Sequence, residues 1–151
     1  MKQRIIALSL LTFIAQCLFT TITVAANDSP TGKWRTIDDA TGKAKSIIAI
    51  SENDGVFSGI IESLLNPSEP NPLCKKCSGE RADQPILGMT ILWDVTSKND
   101  YWSGGKILDP KKGKTYKVKL SLIEDGMKLK VRGYIGTPVL GRTQVWERIT
   151  D

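Results

Sequence analysis

The feature that most constrains this chain is a pair of alternating stretches near its C-terminus. Tyr116, Val118, Leu120 and Leu122 alternate with Lys117, Lys119 and Ser121, and Met127, Leu129, Val131 and Ile135 are interleaved with Lys128, Lys130, Arg132 and Tyr134. Side chains along a strand point to opposite faces in turn, so this pattern gives strands with one apolar and one solvated face. Glu124-Asp125-Gly126 between the two stretches supplies a tight hairpin turn. Ser46–Ser51 and Val56–Leu65 flank Glu52-Asn53-Asp54-Gly55 in the same way, and Tyr101–Leu108 joins Thr115–Leu122 through Asp109-Pro110-Lys111-Lys112-Gly113. Further strands are expected at Lys33–Thr36, Leu87–Val95 and Arg142–Thr150, and no amphipathic helix of ten or more residues stands out. Consecutive antiparallel strands expose pairing edges unless the sheet closes on itself. The expected fold is therefore all-β: a small antiparallel up-and-down β-barrel of about eight strands.

Residues 1–26 read as an address. Lys2 and Arg4 precede an apolar stretch from Ile5 to Phe19, and small residues ending in Ala25-Ala26 mark a cleavage site. A signal peptide cleaved after Ala26 leaves one domain, 27–151, in the periplasm or secreted, with no membrane span. The net charge then falls from +5 to +3, because Lys2 and Arg4 leave and no acid does. So mild an excess argues against a nucleic-acid partner.

The chain has no histidine. That excludes Ser-His-Asp and Cys-His nucleophile pairs and His-ligated zinc, and no other catalytic constellation stands out, so no enzyme, metal or cofactor is expected. Asp38 and Asp39, adjacent in sequence, read as a solvated turn, and Asp109 before Pro110 as a cap on the backbone of its turn. Ser103-Gly104-Gly105 and Gly133-Tyr134-Ile135-Gly136 read as bulges and barrel corners. The Pro- and Gly-rich stretch 66–84 is a long irregular loop carrying Cys74-Lys75-Lys76-Cys77. In an exported protein this pair forms a short disulfide pinning the loop. Thiol–disulfide exchange is the sharper alternative, since the lysines would favour a thiolate, but the motif lacks the strand and helix that frame it in redox proteins.

Trp34, Trp93, Trp102 and Trp146 each fall in or beside an expected strand. They are either core or the wall of a cavity. On the last strand Gln144, Trp146 and Arg148 share a face, which suits a cation–π plug or a partly polar pocket. The candidate ligand-binding set is Trp34, Trp93, Trp102, Tyr134 and Trp146 as wall, with Arg132 and Arg148 as polar contacts.

Several ordered segments resemble DUF2147, a family of small exported bacterial proteins of uncharacterised activity. They are Gly32-Lys33-Trp34-Arg35-Thr36, Gly59, Cys74 with Cys77, Trp102 with Gly104-Gly105-Lys106-Ile107-Leu108-Asp109-Pro110, Gly113-Lys114-Thr115-Tyr116, Arg132-Gly133-Tyr134, and Leu140-Gly141-Arg142 with Trp146 and Arg148. The resemblance implies a lipocalin-like barrel. Gly32-Lys33-Trp34 is also similar to the Gly-x-Trp that opens lipocalins, where the Trp packs on an Arg from near the end of the barrel; here that partner is Arg148 or Arg142. The domain is shorter than typical lipocalins, so the expected calyx is shallow or filled by side chains.

Two functions from different classes follow. One is a barrel holding a small apolar or amphipathic ligand; the other is a packed barrel whose 66–84 loop docks an envelope protein partner. Interior volume separates them.

Overall fold

The structure, a computed structural model, describes residues 28–150; the expected leader and its cleavage site lie outside them. Eight strands run in chain order: β1 (Gly32–Ile37), β2 (Ala44–Asn53), β3 (Val56–Leu64), β4 (Thr90–Lys98), β5 (Tyr101–Asp109), β6 (Lys114–Ile123), β7 (Lys128–Tyr134) and β8 (Gly141–Arg148). Each pairs antiparallel with the next, and β8 returns to β1 through Trp34 opposite Arg148 and Arg35 opposite Glu147, closing the barrel. The only helical segments among the described residues are two 3-10 turns, Gly79–Arg81 and Pro138–Leu140.

The turns explain the topology. Asp54 and Gly55 both hold positive φ, 50° and 78°, the backbone twist that lets a two-residue turn join β2 to β3. The turn after β6 takes the same left-handed region at Glu124, Asp125 and Gly126, with the Met127 N–H donating to the Glu124 carbonyl at 2.9 Å. These turns and the one at 99–100 gather at one end of the barrel. The four other connections, 38–43, 65–89, 110–113 and 135–140, gather at the opposite end.

Several strand limits differ from the sequence expectation, by one to three residues. β4 begins at Thr90, not Leu87, because Gly88 (φ 81°) turns the chain and its N–H donates to the Ile61 carbonyl, leaving Leu87 exposed. β7 stops at Tyr134, so Ile135 stands in solvent in the following loop, and β8 stops at Arg148. The register of β5 against β6 shifts between Ser103 and Lys106, so Gly104-Gly105 is a bulge, whereas Gly133 pairs regularly with Val118.

Inward residues fill the half of the barrel near the tight turns. Trp34, Leu92, Val95, Val118, Leu120 and Leu129 are fully buried. Each such aliphatic side chain contributes about 1.5–3 kcal/mol through loss of water contact. Gly59 also faces inward: a Cβ there would lie 3.2 Å from Leu92 and 3.3 Å from Ile48, so the wall is already in contact around it.

Candidate functional site: a cavity at the open end

Beyond the packed half the barrel is hollow. A cavity of about 1120 Å³ opens among the four longer connections. Its depth carries Ile48, Ile61, Ile91, Val131 and Trp146, one or more from each of five strands, and its mouth carries Asp38, Asp39, Lys45, Lys76, Lys111, Lys112 and Arg142. The calyx is thus neither shallow nor filled, contrary to what the chain's length suggests. The inward residues shrink toward the mouth on several strands: Thr36 and Ser46 stand where Trp34 and Ile48 stand lower down, and Gly133 follows Val131. Thr36 and Ser46 are buried but satisfy one another, with the hydroxyl oxygens 2.7 Å apart and the Ser46 N–H donating to Thr36 Oγ1 at 3.1 Å.

The connection 65–89 roofs one side through Leu65, Asn66, Pro67, Ser68, Pro72, Lys76 and Ile86. It is irregular but tightly held. Cys74 and Cys77 form a disulfide, the Cys74 N–H donates to the Gln84 carbonyl at 2.8 Å, and the Ile86 N–H donates to the Pro72 carbonyl at 2.9 Å. Fully buried Cys74 lies beside the β5–β6 turn, its Sγ 3.4 Å from the Pro110 carbonyl oxygen. Gly113 (φ 66°) touches Lys76 so closely that a Cβ would overlap its carbonyl oxygen, so only glycine lets turn and loop meet. Outside the barrel Arg81 stacks on Trp93, 4.4 Å from the ring centre, and clasps the loop to β4.

Acids at the mouth are already engaged. Asp38 Oδ1 accepts from the Ala40 and Thr41 N–H groups and from the Thr41 hydroxyl, and the two Thr41 bonds hold its carboxyl below the usual range. Asp109 Oδ1 likewise accepts from the Lys111 N–H at 3.0 Å, the capping role its sequence context suggested. Asp39 reaches from the β1–β2 connection to β8, where Arg142 and Gln144 both donate to its Oδ2, and Trp146 Nε1 donates to Gln144 Oε1 at 3.3 Å. A polar relay thus runs from the mouth down to the buried indole.

The sequence model of one protein family, described as an uncharacterized protein conserved in bacteria (DUF2147), matches residues 32–148, which span all eight strands. The chain belongs to the DUF2147 family. Its fold is similar to that of a solved structure, Protein HP1028 from Helicobacter pylori, described as belonging to the lipocalin family. The TM-score is 0.71 at 22% identity, covering 82% of this chain and 84% of that one. At that identity the likeness speaks for the lipocalin-like barrel alone. No curated protein matches the sequence.

This DUF2147 barrel brings only part of the expected wall together. Tyr134 and Trp146 line the cavity; Trp34, Trp93, Trp102, Arg132 and Arg148 do not. Trp34 and Arg148 form the plug of the closed end, where the Trp34 indole N–H donates to the Pro30 carbonyl at 2.8 Å. The lipocalin-type partner of Trp34 is thus Arg148, and Arg142 belongs to the mouth. Trp102 packs edge-on against Phe57, ring centres 6.2 Å apart, and Trp93 lies under Arg81. Arg132 serves the β7–β8 loop: its guanidinium donates to the Pro138 and Val139 carbonyls and to the Thr143 hydroxyl. Val139 and Leu140, 82% and 81% exposed, project from that loop.

Missed in the sequence were Asp39, Arg142 and the mouth lysines. The β8 alternation that marked Gln144, Trp146 and Arg148 extends to Arg142, which was the available signal. Among the described residues no cluster of three or more His, Cys, Asp or Glu could hold a metal ion.

Proposed function

We propose that this protein is an exported, non-catalytic binding protein that carries a small apolar or amphipathic ligand in the open half of its barrel. One observation carries the reading: a cavity of about 1120 Å³, apolar in depth and polar at its mouth, in a chain whose core is otherwise closely packed. Ligand sites of drug-sized molecules commonly occupy roughly 300–1,000 Å³ and combine apolar walls with a few placed polar groups. Export is supported by the arrangement of residues 1–26 and by the Cys74–Cys77 disulfide, which suits an oxidising compartment. The rival reading, a solid barrel docking an envelope partner through its loop, needs an interior without room for a ligand.

Native mass spectrometry of protein purified from the periplasm tests this, together with titration by the neutral apolar fluorophore N-phenyl-1-naphthylamine. The expected result is a reproducible small-molecule adduct released on denaturation, and saturable one-to-one uptake of the fluorophore by stripped protein. Protein that carries nothing and takes up no fluorophore would overturn the reading.

A further inference from the structure

We infer that the ligand of this cavity is an anionic amphiphile, its alkyl tail in the barrel and its carboxylate or phosphate head held at the mouth by Lys45, Lys76, Lys111 and Lys112. The inference rests on the binding-barrel reading and adds the sign of the headgroup.

The observation behind it is an excess of cations around the opening. Five cations and three carboxylates line the cavity, and all eight stand at its mouth. Arg142 is matched by Asp39. Asp38 and Asp109 each commit Oδ1 to their own turn, in three and two hydrogen bonds respectively. The four lysines are exposed, and none forms an ion pair among the described residues. Of the ten described lysines elsewhere, three are paired, Lys33 with Glu62 at 3.0 Å, Lys75 with Glu69 at 3.8 Å and Lys128 with Glu124 at 2.9 Å, so what sets the mouth apart is that four unpaired lysines are gathered around one opening. Lys75 and Lys76 are neighbours, yet the one turned away from the cavity has an acid and the one lining it has none.

The four come from three separate elements that the fold fixes around the opening. Lys45 opens β2, Lys76 sits in the disulfide-pinned loop, and Lys111 and Lys112 form the β5–β6 turn. Close contact between Gly113 and Lys76 holds the last two elements together, and the positive charge of Lys111 is felt at Asp38 on the other connection. Below them the wall is mainly apolar, with Ile48, Ile61, Ile91, Val131 and Trp146 at its depth. From Gly141 at the mouth to Trp146 at the floor β8 covers roughly 16 Å of strand, at about 3.3 Å per residue. That depth takes an alkyl tail while its head stays among the ammonium groups, in water and within reach of charge.

The test compares dodecanoate and dodecyl phosphate with dodecanol and dodecyltrimethylammonium, each below its micellar concentration, by displacement of N-phenyl-1-naphthylamine from the full mature chain. Contacts to exposed lysines are individually weak, and several shared by one headgroup give a preference of roughly tenfold for the anions over dodecanol. Raising the salt shrinks that preference. Replacing all four lysines by Gln is expected to bring the anions to within about twofold of dodecanol, the ratio being read within the same variant. The relative affinities of dodecanoate and dodecyl phosphate identify the headgroup. Equal binding of the anions, dodecanol and the cation by wild-type protein that still takes up the fluorophore overturns this inference and leaves the binding barrel standing. Failure to take up the fluorophore removes both.

Discussion

Arg148 lays its guanidinium carbon 4.2 Å from the centre of the Trp34 ring, and its three nitrogens donate to the carbonyls of Gly126, Thr31 and Ser29 at 2.6–2.8 Å. One side chain thereby ties the start of the domain, the β6–β7 turn and the last strand over the most buried indole of the barrel. Burial lowers its pKa, but a guanidinium keeps its charge throughout the working range. Arg148→Ala leaves three carbonyls without a donor and removes the cation from the ring. A loss of about 2–4 kcal/mol is expected in urea unfolding. Arg148→Lys recovers little of it, because an ammonium lacks the planar fork. Fluorophore affinity should not change, since the plug lies at the other end from the cavity; a loss of affinity without a loss of stability would contradict that separation.

Gly133 faces the cavity from β7. A Cβ there would meet Tyr116 and Ile107 at 3.5–3.6 Å, ordinary contact, so the backbone accepts a side chain and the void receives it. Gly133→Leu is expected to weaken uptake of N-phenyl-1-naphthylamine at least about tenfold while stability holds or rises by up to ~1 kcal/mol, as an interior strand glycine is relieved. Unchanged uptake in a folded variant would place the ligand elsewhere.

How much of this was legible in the sequence depends on distance along the chain. The hairpins were readable because each carries its own turn chemistry within a few residues, as at Asp54-Gly55 and Glu124-Asp125-Gly126. Alternation reported which residues face inward but not how deep they lie: Trp34, Trp146 and Arg148 all face in, and only the register and the position of the long connections set the first and last at the plug. On β4 even the parity fails. Asp94 takes a left-handed φ of 56° and the β3 register slips, so Ile91 and Leu92 are both buried and Trp93 is turned to the flank. Arg132 shared the polar face of β7 with Lys128 and Lys130, and that parity already pointed it away from the interior. The pairing of Asp39 with Arg142 joins residues 103 positions apart, which no local pattern encodes.

The Cys74–Cys77 disulfide closes a very short loop, so its direct contribution by restricting the unfolded chain is modest, about 2 kcal/mol. Its larger effect is local. It fixes the segment that contacts Gly113 and presents Lys76 to the mouth. Cys74→Ser with Cys77→Ser is expected to lower unfolding stability by that amount and to speed hydrogen exchange at Cys74, Asp83 and Ile86, whose N–H groups hold the loop together. If exchange accelerates evenly over the barrel, the bridge is a global staple and not a local one.

Asp38 predicts a pH dependence confined to the mouth. Hydrogen bonds from the Thr41 backbone and hydroxyl favour the charged carboxyl, so its folded pKa lies below the ordinary 3.8. A depressed folded pKa gives a contribution that is fully present above the unfolded value and is lost as pH falls through the folded one. The turn 38–43 should therefore hold at neutral and mildly acidic pH and loosen only below the usual carboxylate range. An NMR titration following the Thr41 amide checks this: its midpoint should fall below that of exposed carboxylates and rise toward the ordinary value in Thr41→Val, which keeps the amide but removes the hydroxyl. A midpoint that Thr41→Val leaves unmoved would show that the side-chain bond has no part in the shift.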